Sequence, residues 1–322
     1  MLLSLAVAWA GEEAATPPAA PGKEAAATPT SEPVKVSMGL FLLRIDALDL
    51  KSETATISFY VWTRWRGDID GSAFEIINGT LDSKVSEYKE TKEGEHYAYY
   101  RCRATVNIDV DFKRYPFDTH RLSIAMEHVE LDVRQMVWEV DTASMKHLAS
   151  PARSGWSISP PAFAVSETTY QTNWGLAGVS PDEATVTSRF TASIELRHEP
   201  RASFVKTFLP LFISMLITFL AFLISSEELE ARVGIGVAGI FGAVTSQSLA
   251  SDNLPETAYM TLSDQIHNAS LFFVFATLLT SCYVGYLART GREARAIKVD
   301  QTLGLCVTLG YVAVVSVLLA GF

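Results

Sequence analysis

The chain has 322 residues and a net charge of −10, with 48% hydrophobic and 19% charged residues. Its mean hydropathy of +0.18 is too high for an ordinary soluble protein, yet the charged fraction is too large for a chain lying wholly in a membrane. We therefore expect a soluble half and a membrane half, and the acidic balance argues against nucleic-acid binding while favouring attraction of cations.

The amino terminus predicts an exported protein. Residues 1–10 lead from an apolar stretch into Ala8-Trp9-Ala10, a small-x-small pattern typical of a signal-peptide cleavage point. Residues 11–33 are rich in Ala, Pro, Thr and Glu and have almost no large apolar side chain. That composition buries too little surface to order itself, so we expect a disordered leader.

Residues 34–199 predict many short strands separated by turns. The runs rich in β-branched and aromatic residues are 38–45, 54–62, 98–108, 122–128, 135–140, 163–172 and 185–196. No helical stretch separates them, so the pattern indicates an antiparallel, immunoglobulin-like β-sandwich. Within it, Tyr115-Pro116-Phe117-Asp118 is a rigid, partly apolar loop with a charge at its tip, suited to press against a membrane-side junction.

Residues 200–322 contain four apolar runs, each near the length that a bilayer requires. They cover 204–224, 233–249, 261–287 and 303–322. The basic residues between the third and fourth runs should stay in the cytoplasm, and an even number of spans then places both termini outside. These basic residues are Arg289, Arg292, Arg295 and Lys298. The predicted fold class is an α+β membrane protein, with an extracellular β-sandwich followed by a four-helix transmembrane bundle.

The second apolar run has one helical face that is unsuited to lipid. Steps of three and four residues place on it Glu230, Gly234, Ala238, Phe241, Thr245, Ser248 and Asp252. One hypothesis is that copies of this helix surround a water-filled pore, with Phe241 as a hydrophobic gate and Glu230 as a charged selectivity ring. The alternative is a glycine-rich helix buried in a bundle, where small residues allow close packing. This segment alone favours neither.

Several motifs occur in the order found in one known family. They are the Tyr115–Asp118 loop, Trp65 after the second strand, Arg197, Phe208-Leu209-Pro210, Glu230, and Asn253-Leu254-Pro255 followed by Tyr259-Met260-Thr261. From about Val34 to Phe322 the chain resembles the prokaryotic pentameric ligand-gated ion channels. The resemblance implies a homopentamer in membrane lipid that conducts monovalent cations and opens in response to a small-molecule agonist or to protons.

In animal members of that family a disulfide closes the proline loop. Counting from Asp118, the two positions are occupied here by Ile108 and Leu122, so the bridge is absent. We expect the loop to be held instead by packing against the ends of the membrane helices, through Phe112, Tyr115 and Phe117.

The resemblance also implies where the two halves of the chain communicate. Asp118 and Arg197 should meet a carboxylate of the 46–53 loop, Asp49 or Glu53, where the sandwich rests on the helices. A partly buried pair of this kind is costly to break, whereas a surface ion pair, the alternative, contributes little. The full set of implied coupling residues is Asp49, Glu53, Tyr115, Pro116, Phe117, Asp118, Arg197 and Pro255.

By family geometry the agonist pocket lies between subunits. One side would use Glu127, His128, Tyr170 and Trp174, and the neighbouring subunit would supply Tyr60, Trp62 and Arg64. The last three alternate along the chain, so they share one face of a strand. Aromatic rings beside a carboxylate suit an ammonium ligand, whereas an arginine suits a carboxylate ligand, and both alternatives stay open.

Protons are the rival agonist, because the chain has six histidines and many carboxylates. His267 in the third apolar run is a candidate proton site, and a hydrogen bond between helices is the alternative. The sequence contains no nucleophile elbow, metal-ligand spacing or phosphate loop, so we expect no enzymatic activity, cofactor or metal. The alternative function is a non-conducting membrane receptor that binds a partner through the sandwich. The predicted location is the bacterial inner membrane, with the sandwich and the carboxyl terminus in the periplasm.

Overall fold

The computed structural model describes residues 32–145, 155–175, 180, 184–252 and 254–321. The predicted signal segment, the predicted leader up to residue 31, Asn253 and Phe322 lie outside these ranges. Within them, ten strands precede four long helices. The last strand ends at His198 and the first helix begins at Pro200.

The ten strands make up the amino-terminal part. They are β1 Val34–Asp49, β2 Thr54–Arg66, β3 Phe74–Ile76, β4 Gly79–Lys92, β5 Glu95–Asp109, β6 Thr119–His128, β7 Met136–Val140, β8 Trp156–Ile158, β9 Ala162–Tyr170 and β10 Thr185–His198. The sequence prediction misses β3, β4 and β8. β4 is exposed along nearly its whole length and so lacks the apolar face on which the prediction depends, and β3 and β8 have three residues each.

The strands form a sandwich whose two layers are joined at one edge. One layer has the order β7-β1-β2-β5-β4, and the other is built on β6 and β10, with β3 beside β6 and with β8 and β9 beside β10. β5 joins the layers by pairing with β6 at Ile108 and Asp109. The predicted antiparallel sandwich is confirmed, except that β1 and β7 run parallel.

An apolar core fills the space between the layers. Met38, Ile57 and Phe59 reach it from the first layer, and Phe190 and Leu196 reach it from the second, all without exposed surface. Burying a side chain of this size stabilises the fold by about 1.5–3 kcal/mol. The core also sets the register, because a slip of one residue would turn every apolar side chain of a strand toward solvent. It therefore holds the ends of β6 and β10 in a defined position.

Four helices follow the sandwich. They are α1 Pro200–Phe219, continued by a short 3-10 turn at Leu220–Leu223, α2 Leu229–Ser251, α3 Leu262–Arg289 and α4 Glu293–Ala320. The first three agree with the predicted runs. α4 starts at Glu293 rather than at residue 303, so Arg295 and Lys298 belong to the helix, and the predicted basic loop shrinks to residues 290–292. Hydropathy misses these first turns because they are polar.

Candidate functional site

The seven residues that helical spacing places on one face of α2 are all exposed on the surface of the chain. The largest of them, Phe241, has 69% of its surface exposed. The opposite face is buried and consists of Arg232, Gly236, Gly239, Ala243, Ser246 and Ala250. α2 therefore has one face packed within its own chain and another that is exposed on the surface of the single chain.

The glycines of α2 divide between these two faces. Gly234 borders open space, whereas a side chain at Gly236 or Gly239 would collide with a side chain of α3 or α1. The close approach at Gly239 lets the hydroxyl of Ser214 in α1 donate to the Gly239 carbonyl at 2.9 Å. Close packing of small residues thus describes one face of α2, and a pore lined by its exposed face stays a prediction.

A buried ion pair connects the start of α2 to α4, and sequence reasoning missed it. Nη1 and Nη2 of Arg232 donate to the two carboxylate oxygens of Asp300 at 2.8 and 2.5 Å. The Arg232 guanidinium also donates to the carbonyl oxygens of Ile224 and Ser225. Arg232 is 1% exposed. Arg232 and Asp300 each lie just before an apolar run of the sequence, 68 residues apart, and no local spacing connects them.

His267 joins α3 to the buried face of α2. Its Nε2 lies 3.1 Å from the hydroxyl of Ser246, and its Nδ1 lies 2.7 Å from the carbonyl oxygen of Ser263 one turn earlier. The carbonyl accepts from Nδ1–H, so Nε2 accepts from the Ser246 hydroxyl. The structure thus shows the hydrogen bond between helices, and the role of His267 as a proton site stays a prediction.

The proline loop rests on the start of α3. A capping box begins this helix, and the N–H groups of a first helical turn have no partner within the helix. Those of Leu262 and Ser263 donate to the carbonyl oxygens of Lys113 and Tyr115, at 2.9 and 3.2 Å. The loop therefore completes the end of a membrane helix.

Aromatic contacts hold the same loop against α1 and the α2–α3 connection. The ring of Phe117 stacks on Phe204 of α1, with 6.2 Å between the centroids. The hydroxyl of Tyr259 accepts the N–H of Phe112 at 3.1 Å. The Tyr115–Pro116 peptide bond within the loop is cis. The expected packing of this loop on the helix ends is confirmed.

Asp118 is buried where the loop ends, and its partners are two histidines. Nε2 of His120 lies 2.5 Å from one carboxylate oxygen, and Nδ1 of His198 lies 3.2 Å from the other. Burial alone would raise the pKa of Asp118, but the contacts with both imidazoles outweigh burial and hold the pKa to about 2. The Asp118 side chain is thus a carboxylate throughout the physiological pH range.

The expected pair between Asp118 and Arg197 is wrong. Arg197 is exposed and pairs with Glu195 at 2.8 Å. Successive residues of a strand point to opposite faces, so Arg197 and His198 cannot both face Asp118. The register of β10 gives the buried side to His198, and the basic partner of Asp118 is therefore one residue further along the chain than the sequence indicates.

A cavity of about 350 Å³ brings together the residues predicted for one side of the ligand pocket, namely Glu127, His128, Tyr170 and Trp174. Glu127 is buried and accepts from Nε of Arg189 at 2.7 Å and from the hydroxyl of Thr187 at 2.8 Å. The ring of Trp174, which is 66% exposed, lies 5.3 Å from that of Tyr170. An aromatic pair thus stands beside a buried carboxylate.

His128 forms part of the wall of this cavity. Its Nδ1 accepts the N–H groups of Glu130 and Leu131, both at 3.0 Å, and its Nε2 lies 3.0 Å from the carbonyl oxygen of Asp70. Both ring nitrogens are therefore engaged by the backbone. The ring shapes the turn after β6, and a direct contact of His128 with a ligand stays a prediction.

Tyr60, Trp62 and Arg64 share one face of β2, as their alternation predicts. Nε1 of Trp62 and Nη2 of Arg64 donate to the same carboxylate oxygen of Asp141, at 2.9 and 3.0 Å. Burial tends to raise the pKa of Asp141, but hydrogen bonds from Trp62 and Ser144 and the charge of Arg64 hold it below its usual range. These residues lie in the other layer of the sandwich from Glu127, so a single chain does not unite the two halves of the predicted pocket.

Comparisons with known proteins give relatives that match most of the chain, although no family model matches it. The chain is 23% identical over 292 residues to a proton-gated ion channel from Gloeobacter violaceus, with 84% of this chain and 78% of that protein covered. Neither the sandwich alone nor the helices alone make up 84% of the chain. The matched region therefore includes residues of both parts. The chain is related to the pentameric ligand-gated ion channels.

Receptor subunits of animals are further relatives. The chain is 21% identical to the gamma-aminobutyric acid receptor subunit theta of Mus musculus and 22% identical to the subunit pi of Rattus norvegicus, with 79% of this chain covered in each. It spans less than two thirds of these subunits, 42% and 62% of their lengths. These relatives are channel and receptor proteins rather than enzymes.

All four long helices of the chain have the length and apolar composition needed to cross a membrane. Together with the channel relative from Gloeobacter, they make the chain a multi-pass membrane protein. The fold class predicted from the sequence, a sandwich followed by a four-helix bundle, is confirmed.

In this chain, Ile108 of β5 and Leu122 of β6 are direct partners in the ladder between the two strands. Both side chains are buried in the sandwich core. An apolar contact therefore stands at the base of the proline loop, between the two positions that the resemblance assigns to the disulfide of animal members.

The other residues to which the resemblance assigns coupling lie in separate loops of the chain. The carboxylate of Asp49 accepts two backbone N–H groups of its own β1–β2 turn, at 2.9 and 3.2 Å. The carbonyl of Glu53 accepts the N–H of Ile108 at 2.8 Å. Pro255 lies in the connection between α2 and α3. Their part in coupling stays a prediction.

Proposed function

We propose that the chain forms a homopentameric, cation-selective ion channel, gated by a ligand or by protons, with α2 lining the pore. The open face of α2 is the observation that carries this proposal. Gly234, Thr245 and Ser248 are exposed on a helix whose opposite face is buried. Hydrocarbon offers no partner to polar groups, so lipid-facing surfaces of membrane helices are apolar. Water in a central pore accounts for a small, polar face.

Glu230 is the residue to which we assign cation selectivity. It lies in the first turn of α2, where the helix dipole favours a carboxylate. Five copies around a central axis would form an acidic ring, which selects cations. The remaining pore-lining positions are Gly234, Ala238, Phe241, Thr245, Ser248 and Asp252.

Phe241 is the residue to which we assign the gate. It lies 11 residues after Glu230, about 16 Å along the helix axis, and so near the middle of the membrane. A ring of phenyl groups at that depth excludes water when the pore is narrow.

We assign the ligand site to the cavity around Glu127, Tyr170 and Trp174, completed by Tyr60, Trp62 and Arg64 of a neighbouring copy. The cavity is also lined by the acidic residues Glu75, Glu130 and Asp132. Carboxylates together with exposed aromatic rings favour a small ammonium ion over a carboxylate ligand. Because the relative from Gloeobacter is named a proton-gated channel, protons stay the rival trigger.

The sandwich, residues 34–199, would be the ligand-binding domain in the periplasm, and residues 200–322 would be the pore domain in the bacterial inner membrane. The basic residues around the α3–α4 connection support this orientation, because such residues stay in the cytoplasm. The proline loop, with Tyr115, Phe117 and Asp118, would carry the signal, since it contacts both α1 and α3.

The test is ionic current through a planar bilayer that contains the purified chain. In a KCl gradient we expect currents that reverse near the K⁺ equilibrium potential, evoked by acidification or by small amines. Glu230→Gln should lower the conductance and move the reversal potential toward zero. Glu227→Gln, in the exposed turn before α2, is the matched control and should change neither. Reversal at the Cl⁻ potential contradicts cation selectivity, and an assembled protein without current supports the non-conducting receptor.

A further inference from the structure

Asp118, His120 and His198 meet where the proline loop joins the ends of two strands. β6 and β10 pair with Leu196 opposite His120, which brings His198 beside Asp118 at the end of the ladder. Three potential ligand atoms, one from each side chain, all lie within 4.8 Å of one another. The side chains of Asp118 and His120 have no exposed surface, and that of His198 is 19% exposed.

The cluster contains buried polar atoms without normal hydrogen bonds. Among the residues that the structure describes, Oδ2 of Asp118 and both ring nitrogens of His120 have no hydrogen-bond partner of acceptable geometry. This holds although Nε2 and Oδ2 are 2.5 Å apart. Leaving a buried polar atom unsatisfied costs about 1–3 kcal/mol. Such atoms in a native fold often mark the place of an ion or a water molecule.

We propose that Asp118, His120 and His198 bind a divalent transition-metal ion, for which zinc is the best match. Imidazole nitrogen and carboxylate oxygen are ordinary zinc ligands, and two histidines, one carboxylate and a water molecule make a tetrahedral set. With bonds of about 2.0–2.2 Å, tetrahedral ligand atoms lie roughly 3.4 Å apart. The ligand atoms of the cluster lie within 4.8 Å of one another, and binding would lengthen the 2.5 Å contact between His120 and Asp118 by roughly 0.9 Å.

The surroundings supply a path and a fixed orientation. His198 borders a cavity of about 320 Å³ shared with Tyr115 and Trp156, large enough for several waters at about 30 Å³ each. The ring of Trp156 lies 3.9 Å from that of His198 and limits its rotation.

The ion would bind where the β6–β10 ladder ends, beside the proline loop. Asp118 and His120 belong to the proline loop and β6, and His198 ends β10 two residues before α1 begins at Pro200. Zinc therefore ties the loop that rests on α3 to the strand that leads into α1. Binding stabilises the junction whether or not the chain conducts ions.

The test uses the full chain in detergent, without a polyhistidine tag and freed of metal by EDTA. Co²⁺ replaces Zn²⁺ as the probe, because its visible absorption reports tetrahedral coordination. We expect one Co²⁺ per chain, displaced by Zn²⁺, and a melting temperature raised by Zn²⁺ and unchanged by Mg²⁺. His198→Gln should weaken binding by more than about 100-fold, since loss of an outer partner alone costs about 10- to 100-fold.

His96→Gln is the matched control. The ring of His96 is bonded to Thr91 in the exposed β4–β5 hairpin, so this variant should bind Co²⁺ as the unaltered chain does. Absence of a tetrahedral Co²⁺ spectrum in the unaltered chain, or the same affinity in His198→Gln, overturns the proposal. If His198→Gln does not assemble, chemical labelling of the unaltered chain tests the site instead. Zn²⁺ should then protect His198 but not His96 from diethylpyrocarbonate, as read by mass spectrometry, and equal labelling of His198 with and without Zn²⁺ overturns the site.

Discussion

Arg232 and Asp300 are joined by two parallel hydrogen bonds that link the first turn of α2 to α4 inside the bundle. The side chain of Arg232 has no exposed surface, and that of Asp300 is 12% exposed. A charge buried in this way depends on its partner, because desolvation of an unpaired charge is expensive. The start of the proposed pore helix is therefore anchored by electrostatics as well as by packing.

Arg232→Met should lower the free energy of unfolding by about 3–5 kcal/mol, because it leaves the Asp300 carboxylate uncompensated. The double variant Arg232→Met/Asp300→Leu should recover most of that loss, since no buried charge is left. Denaturant titration of the detergent-solubilised chain, followed by the far-UV circular dichroism of its helices, measures both. Lys298→Met, an exposed substitution in the helix that contains Asp300, should change the free energy of unfolding by no more than about 0.5 kcal/mol. A loss under about 1 kcal/mol in the single variant contradicts the assigned role.

Gly239→Ala should destabilise the packing of α1 on α2 by about 1–3 kcal/mol, as overpacking of a tight contact does. The added methyl group would collide with the hydroxyl of Thr218, which is held by its bond to the Ser214 carbonyl at 2.9 Å. Gly234→Ala is the matched control, because its methyl group would enter open space. That variant should gain up to about 1 kcal/mol of helix propensity. Equal melting temperatures for the two variants would refute the difference between the faces.

Phe241→Ala should raise the current that flows without agonist, because five smaller side chains no longer exclude water from the middle of the pore. Bilayer recordings in the absence of agonist measure this leak. Phe272→Ala removes a similarly exposed ring from α3, away from the proposed pore, and should leave the leak unchanged. An unaltered leak in Phe241→Ala would remove Phe241 from the gate.

Trp174→Ala should weaken binding of tetramethylammonium by about 2- to 30-fold, which corresponds to a cation–π contact of about 0.5–2 kcal/mol. Titration calorimetry on the assembled protein measures the affinity directly and needs no gating. Tyr88→Ala removes an exposed ring from β4 and serves as the control. Identical affinities in the unaltered chain and in Trp174→Ala would exclude the aromatic pair as the ligand contact.

Asp141→Asn should lower the free energy of unfolding by about 1–3 kcal/mol at neutral pH, because hydrogen bonds from Trp62 and Arg64 to a charged group become weaker. The pKa of Asp141 in the folded chain lies below the unfolded value of about 3.9. Its stabilisation is therefore fully present above about pH 4 and is lost as the pH falls through the folded-state pKa.

Denaturant titrations at neutral and progressively lower pH measure this dependence. The difference between Asp141→Asn and the unaltered chain should shrink below about pH 4. Asp109→Asn, at an exposed position at the end of β5, is the control and should show a small difference at every pH. A gap for Asp141→Asn that stays constant with pH would show that the charge of Asp141 contributes nothing.

Local patterns were sufficient to predict the architecture. The alternation of buried and exposed residues along β2 and β10 and the four apolar runs repeat a signal many times, so single exceptions do not obscure it. A repeated local signal is also present in α2, where steps of three and four residues predicted the exposed face from Glu230 to Asp252. β4 and the first turns of α4 escaped because their residues are polar on most sides and carry no apolar period.

The sequence by itself thus determined most of the elements and which face of each of these is apolar. The tertiary structure decided which charged side chains meet. Asp118 and His198 are 80 residues apart, and Arg232 and Asp300 are 68 apart. Each contact depends on the register between two strands or on the packing of two helices, and a shift of one residue would replace the partner. No local period encodes that register, because it is set by how the apolar cores of the sandwich and of the bundle fill space.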